Sequence, residues 1–230
     1  MPIKIKRFWG SMVAVLALCG LMASCSEDDN TYDPYANWEA RNAEYFLQIV
    51  DSARQAIAEA KSLYGDQWED HCEWRMYKSL TKSPSWQAGV TDSICVHIFG
   101  RGTGKGCPQW TDTVRVHYRG FIMPTQYLVN NEMRTRQTVF SQSYVGDFDL
   151  NRAVPALMTP APAVAGFSTA LQYMHVGDNW LVYIPSALGY GSQAQGSIPA
   201  YSTLPFHVNL ADYYTAGETI PDWKTVTSNN

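Results

Sequence analysis

Asp112-Thr113-Val114-Arg115-Val116-His117-Tyr118-Arg119-Gly120 sets an apolar or aromatic side chain at every second position, with Val114, Val116 and Tyr118 on one face. Successive side chains of a strand point to opposite faces, so this two-residue period predicts a strand with one buried side. The same period recurs to either side. Ile94, Val96 and Ile98 alternate with Cys95 and His97 upstream, and Trp180–Ile184 gives a third strand downstream. Leu204, Phe206, Val208 and Leu210 give a fourth. Between them Phe167, Leu171 and Met174 share one face of a short helix over Phe167–His175. The expected fold class is α+β: an antiparallel, twisted β-sheet wrapped around one short helix, over residues 93–214.

The region before this domain reads differently. Phe46, Ile49, Val50, Ala53, Ile57, Ala60 and Leu63 recur at three- and four-residue steps, predicting an amphipathic helix over Asn37–Tyr64 that Gly65-Asp66 stops. Its stripe has two uses, packing on its own domain or self-association through residues 37–64. Residues 66–92, with Trp68, Trp74, Trp86 and the break at Ser83-Pro84-Ser85, read as irregular or short-helical cover. Residues 215–230 read as a tail.

At the start, Lys4, Lys6 and Arg7 precede an apolar run from Phe8 to Met22 that ends in Met22-Ala23-Ser24-Cys25. That run is shorter than the ~20 residues needed to span a bilayer, and the pattern is that of an export signal over residues 1–24. Its end resembles a bacterial lipobox, which implies a lipid-modified Cys25, a membrane anchor and an outer membrane lipoprotein in a Gram-negative envelope, surface-exposed or not. Residues 25–36 form an acidic tether, with Ser26-Glu27-Asp28-Asp29 directly after the cysteine. Removing residues 1–24 takes away three cations and no acid, so the net charge moves from −4 to −7. An acidic surface repels phosphate backbones and argues against a nucleic-acid partner. Cys72, Cys95 and Cys107 then remain, with no C-x-x-C pair and no zinc spacing. An oxidising compartment permits one disulfide, and Cys95 with Cys107 would be opposed across a hairpin.

Four blocks carry a resemblance. Asp112–Gly120 fits D-x-V-x-V-H-Y-x-G, and Gly166-Phe167-x-x-Ala170-Leu171-x-x-Met174-x-Val176-Gly177-Asp178 follows it. Ile184-Pro185-Ser186-Ala187-Leu188-Gly189-Tyr190-Gly191 and Ile198-Pro199-Ala200-Tyr201-Ser202-Thr203-Leu204-Pro205-Phe206 complete the order. Together they resemble the FKBP-type peptidyl-prolyl cis-trans isomerases. The resemblance implies proline-containing polypeptides as clients, and no cofactor or metal. It implies a site with Phe167 as its floor, Tyr118, Phe140, Val164, Ile198 and Phe206 as walls, and Tyr190 offering its hydroxyl to a substrate carbonyl. Three departures stand out. Phe167 replaces an indole. Ser141, in Phe140-Ser141-Gln142-Ser143, replaces a pocket carboxylate. The hairpin Met123–Val139 is long, and residues 143–163 carry an extra piece around Thr159-Pro160-Ala161-Pro162, in which Phe148 and Met158 both qualify as the missing wall residue. The Ser141 change keeps a second reading open, a proline-peptide binding module or scaffold with little turnover. Pro205, which lacks a donor, is expected at a sheet edge or a bulge. Ser79-x-x-Lys82 has no partner motifs and carries no chemistry. The five histidines sit on separate elements, and His117 and His207 are expected on the face turned away from the apolar side.

Overall fold

The alternating segments pair into one antiparallel sheet, which the computed structural model describes within residues 32–130, 132–150 and 152–223. The expected signal peptide and Cys25 lie outside the described residues. Helix α1 (Trp38–Tyr64) leads through a 3-10 turn (Gly65–His71) into β1 (Trp74–Lys78). After a second turn (Val90–Asp92) come β2 (Ser93–Gly100), β3 (Thr113–Phe121), β4 (Thr125–Val129), β5 (Glu132–Arg136) and β6 (Val139–Gln142). Then follow β7 (Ala156–Met158), α2 (Ala165–Tyr173), β8 (Asn179–Ile184), a turn (Ser186–Leu188) and β9 (Leu204–Tyr214). The order is β1-β2-β8-β9-β3, with the far edge of β3 shared by β6 and β7. The chain leaves that edge after Gln142, opposite Arg119, and rejoins it at Ala156, opposite Val116. The extra residues are therefore looped out of one continuous edge.

One face of the sheet buries Ile94, Val96, Val114, Val116, Val182, Ile184, Val208 and Leu210 against Ala170, Leu171 and Met174 of α2. The α+β class read from the sequence is the one observed. Helix α1 covers part of the opposite face, where Phe46, Val50 and Ala53 meet Cys95, Trp74, Met76 and Tyr183. Its apolar stripe is thus spent mostly on its own sheet, although Leu63, at the end of that stripe, is 67% exposed. The helix stops at Gly65, whose φ of 53° suits a residue without Cβ.

Two expectations need correction. Residues 66–92 hold a strand, β1, which extends the sheet beyond β2. It was hidden because the strand is short and covered on both faces, Trp74 and Met76 packing with α1 and Tyr77 with the main core, while Arg75 reads as a solvent-facing cation although it is buried. Its guanidinium is buried by donating to the carbonyls of Glu69, Cys72 and Trp74. Cys95 and Cys107 are not opposed. Cys95 sits under α1, whereas Cys107 lies beside His175 with Sγ 3.7 Å from Nε2, and both thiols are free. Pro205, by contrast, is where a residue without a donor is expected. Strand β9 lies inside the sheet order, but Pro205 is one position beyond the last β3 pair, Gly120↔Phe206, so it is paired only with Tyr183 of β8 and its other side is a local edge.

Candidate active site

The β3–β9 register sets Tyr118 opposite Val208 and Gly120 opposite Phe206, at the end of the sheet where α2 begins. A Cβ on Gly120 would lie 2.6 Å from Phe206 Cε1 and 2.7 Å from Phe140 Cζ, so the two rings close over this residue only because it has no side chain. On the other side, Gly166 lets α2 settle on β8, since a Cβ there would meet Ile184 Cγ2 at 2.3 Å. These two close approaches bring Phe167 against the rings of the sheet. Phe167 and Phe206 have centroids 4.7 Å apart, Tyr118 and Phe167 5.8 Å, and Phe140 and Phe206 meet edge-on at 5.2 Å. Such offset and edge-on pairs are the arrangements aromatic quadrupoles favour.

The result is a cavity of about 550 Å³. Tyr118, Phe140, Ser141, Met158, Val164, Phe167, Tyr190, Ile198 and Phe206 all line it, so every pocket residue named from the sequence falls on one hollow. Phe148, the alternative to Met158, packs elsewhere, against His117 and Tyr144. Met158 reaches the cavity because β7 pairs it with Val114. The sequence reading missed two groups of lining residues. Thr159, Pro162 and Ala163 come from the segment before α2, and Gln195, Gly196 and Ser197 from a turn closed by reciprocal 2.9 Å bonds between Gln195 and Ile198. The first group belongs to the Pro-rich piece already visible as an addition. The second lies between two matched blocks, where Gly196 was the only hint.

The polar groups are few. Tyr118 Oη lies 3.2 Å from Ser141 Oγ, a hydroxyl–hydroxyl bond where a carboxylate would give a charge-assisted one. Ser143 fixes the same strand from behind, accepting the Tyr118 N–H at 2.9 Å. Among the described residues the Tyr190 hydroxyl has no partner and remains available to a ligand. Among the described residues no carboxylate, imidazole, amine or guanidinium lines the hollow. A guest therefore meets aromatic faces, aliphatic groups and a few hydroxyl, amide and backbone groups, a surface suited to a small apolar ring carrying one carbonyl.

Behind the site, on the opposite face of the sheet, His117 is 1% exposed beneath Phe148 and Trp223. Neither ring nitrogen has a hydrogen-bond partner, and burial pushes its pKa below the ordinary value. It packs on the sheet and does not reach the cavity.

Residues 104–211 match the family model described as FKBP-type peptidyl-prolyl cis-trans isomerase. A macrophage infectivity potentiator of Trypanosoma cruzi is 35% identical over 119 residues, covering 51% of this chain and 52% of that protein. The FKBP-type peptidyl-prolyl cis-trans isomerase FkpA of Aeromonas hydrophila is 34% identical over 164 residues, 71% of this chain and 54% of that one. An FKBP-type 22 kDa peptidyl-prolyl cis-trans isomerase of Escherichia coli is 34% identical over 116 residues, 50% and 47% of the two chains. The chain spans about half the length of the curated relatives it matches. By this match and these likenesses, residues 104–211 form a domain of the FKBP-type peptidyl-prolyl cis-trans isomerase family.

Proposed function

We propose that this domain accelerates cis-trans isomerisation of X–Pro bonds in polypeptides, from a lipid anchor at Cys25 in the cell envelope. The observation that carries the reading is the convergence of Tyr118, Phe140, Phe167, Tyr190 and Phe206 on one uncharged cavity of about 550 Å³. Rotation about an X–Pro bond is opposed by a barrier of roughly 18–20 kcal/mol, most of it amide resonance. At the top of that barrier the C–N bond is single-like and the carbonyl oxygen carries less negative charge. A water-poor aromatic surface opposes the polar planar amide more than the twisted one, which is the differential binding that speeds a reaction. Phe167 and Phe206 hold the pyrrolidine ring, and Tyr190 donates to a carbonyl beside it. The mechanism requires no nucleophile and no proton shuttle.

The anchor rests on the residues around Cys25. Among the described residues no helix is long and apolar enough to cross a membrane. A protease-coupled isomerisation assay on the purified chain tests the enzyme reading. Acceleration that is lost in Phe167→Ala supports it. Binding of the peptide without acceleration overturns it in favour of a binding module. For the anchor, radioactive fatty acid should label the wild type and not Cys25→Ala; equal labelling removes Cys25 from the account.

A further inference from the structure

Helix α1 reaches the cavity through the loop Tyr190–Thr203, which supplies Tyr190, Gln195, Gly196, Ser197 and Ile198 to the lining. At its start the loop is tied by the Gly191 N–H, which donates to the Ser186 carbonyl at 2.9 Å. Its remaining bonds among the described residues, apart from those to α1, run within its own stretch, Gly191 accepting from Tyr201 at 2.7 Å, Tyr190 accepting from Gln193 at 3.1 Å and Gln195 pairing with Ile198. Its far end is tied to α1. Trp38 Nε1–H donates to Ser202 Oγ at 2.9 Å, and Ser202 Oγ–H donates to the Pro199 carbonyl at 2.7 Å, one residue from Ile198. Asn42 Oδ1 accepts the Thr203 N–H at 2.8 Å, and the Asn42 carbonyl accepts the Thr203 hydroxyl at 3.1 Å. Asn42 is itself oriented by donating from Nδ2 to the Trp38 carbonyl at 2.8 Å.

Every side chain in this clamp is buried: Trp38 is 7% exposed, Asn42 0%, Ser202 3% and Thr203 2%. Bonds shielded from water are not exchanged cheaply for solvent, so they hold their geometry. Between the clamp and the pocket, Tyr201 has φ 60°, a left-handed conformation a bulky residue adopts only where its surroundings impose it. The imposed tension is anchored at one end by Thr203 on Asn42 and at the other by the Tyr201–Gly191 bond.

We propose that Trp38 and Asn42 are positioning residues for the cavity: the amino-terminal helix sets the conformation of Tyr190–Thr203 and thereby the affinity for a prolyl segment. The proposal rests on the isomerase reading for its kinetic arm only. Loosening the clamp lowers the fraction of chains with a competent loop, which raises the apparent dissociation constant by that fraction without altering the chemistry in those that bind.

The test uses the full chain with Asn42→Ala, Trp38→Phe, Ser202→Ala and the Trp38→Phe/Ser202→Ala pair. Leu47→Ala, on the exposed side of the same helix, serves as control. Amide hydrogen exchange at Gln195, Ile198 and Tyr201 is read beside KM and kcat. Trp38→Phe, which loses one buried hydrogen bond, is expected to speed those amides and raise KM roughly fivefold, and Ser202→Ala and Asn42→Ala, which lose two each, to raise it at least as much, with kcat within about twofold throughout. The pair is expected to shift KM no further than Ser202→Ala alone, because that change already removes the Trp38–Ser202 bond. Leu47→Ala is expected to match the wild type. A lower unfolding midpoint with unchanged KM and unchanged exchange at the three amides would mean that the helix merely stabilises the fold, and overturns the proposal. Multiplicative effects in the pair overturn it as well. An inactive wild type sinks the isomerase reading, while the exchange arm still judges the clamp.

Discussion

Gly120→Ala is the most informative single change, because it adds one methyl group where two rings of the cavity close. The new Cβ would stand 2.6 Å from Phe206 Cε1 and 2.7 Å from Phe140 Cζ. Ordinary contact begins near 3.4 Å, so the Phe206 edge must retreat by about 0.8 Å, and Phe140, which meets it edge-on at 5.2 Å, must move with it. Overpacking of this kind costs about 1–3 kcal/mol of stability. Its functional effect should exceed its effect on folding, since displacing reacting or binding groups by about 1 Å can cost roughly a hundredfold in rate. Allowing for relaxation, kcat/KM should fall by about ten- to a hundredfold at a temperature where the variant is fully folded. A protease-coupled assay on a prolyl tetrapeptide, with a urea titration in parallel, gives both numbers. If Gly120→Ala is destabilised by the stated amount yet keeps kcat/KM within twofold, the Phe140–Phe206 wall does not contact the substrate and the assignment is wrong.

Ser141→Ala removes the partner of Tyr118 Oη and should lower kcat/KM roughly fivefold, whereas Ser141→Asp supplies a charged acceptor and should raise it above the wild type; equal rates in all three would detach Ser141 from the site. Burial holds His117 neutral, so its folded pKa lies below the ordinary value of about 6.5, and the unfolded chain binds the proton more readily. Its contribution to stability is therefore complete above about pH 6.5 and is lost as pH falls through the folded value; urea midpoints at pH 7.5 and 5.5 should differ in the wild type and differ less in His117→Leu. The remainder belongs to groups such as His207, whose pKa burial and the nearby Arg119 also lower, and an undiminished difference would refute the assignment to His117. Asp92 behaves in a separate window, because bonds from Trp86, Lys82 and Gly89 hold its pKa at about 2 against an ordinary 3.8, so its contribution disappears only between those values. Cys95, whose thiol burial pushes up to about 12, should resist alkylation in the native protein while the half-buried Cys107 reacts; equal rates would show that α1 does not stay on the sheet.

The framework was legible where packing alone decides the pattern. Strands β2, β3, β8 and β9 alternate cleanly because one face of each meets the same core, and α2 shows its Phe167–Leu171–Met174 face for the same reason. Strand β1 was hidden because Arg75 is buried by bonds to carbonyls that no local pattern foretells. The cysteine pairing failed because spacing along the chain says nothing about which face a residue takes once β1 and β8 flank β2. The residues named inside the matched blocks, Tyr118, Phe167, Tyr190, Ile198 and Phe206, all line the hollow. Met158 could not be separated from Phe148, since only the β7 register decides which of them turns inward. The clamp from Trp38 and Asn42 was invisible: its partners lie more than 160 positions away, and a tryptophan or asparagine on a helix carries no mark of its distant acceptor.

The central claim is that a prolyl ring enters the cavity floored by Phe167 and that its amide turns there. Exchange spectroscopy on a short X-Pro-Phe peptide with a catalytic amount of the chain observes both at once. The account predicts cis–trans exchange cross-peaks that are absent without protein, together with shifts at Tyr118, Phe167, Tyr190 and Phe206 and loss of both effects in Phe167→Ala. Cross-peaks that persist unchanged in Phe167→Ala, or shifts confined to another surface, would contradict it.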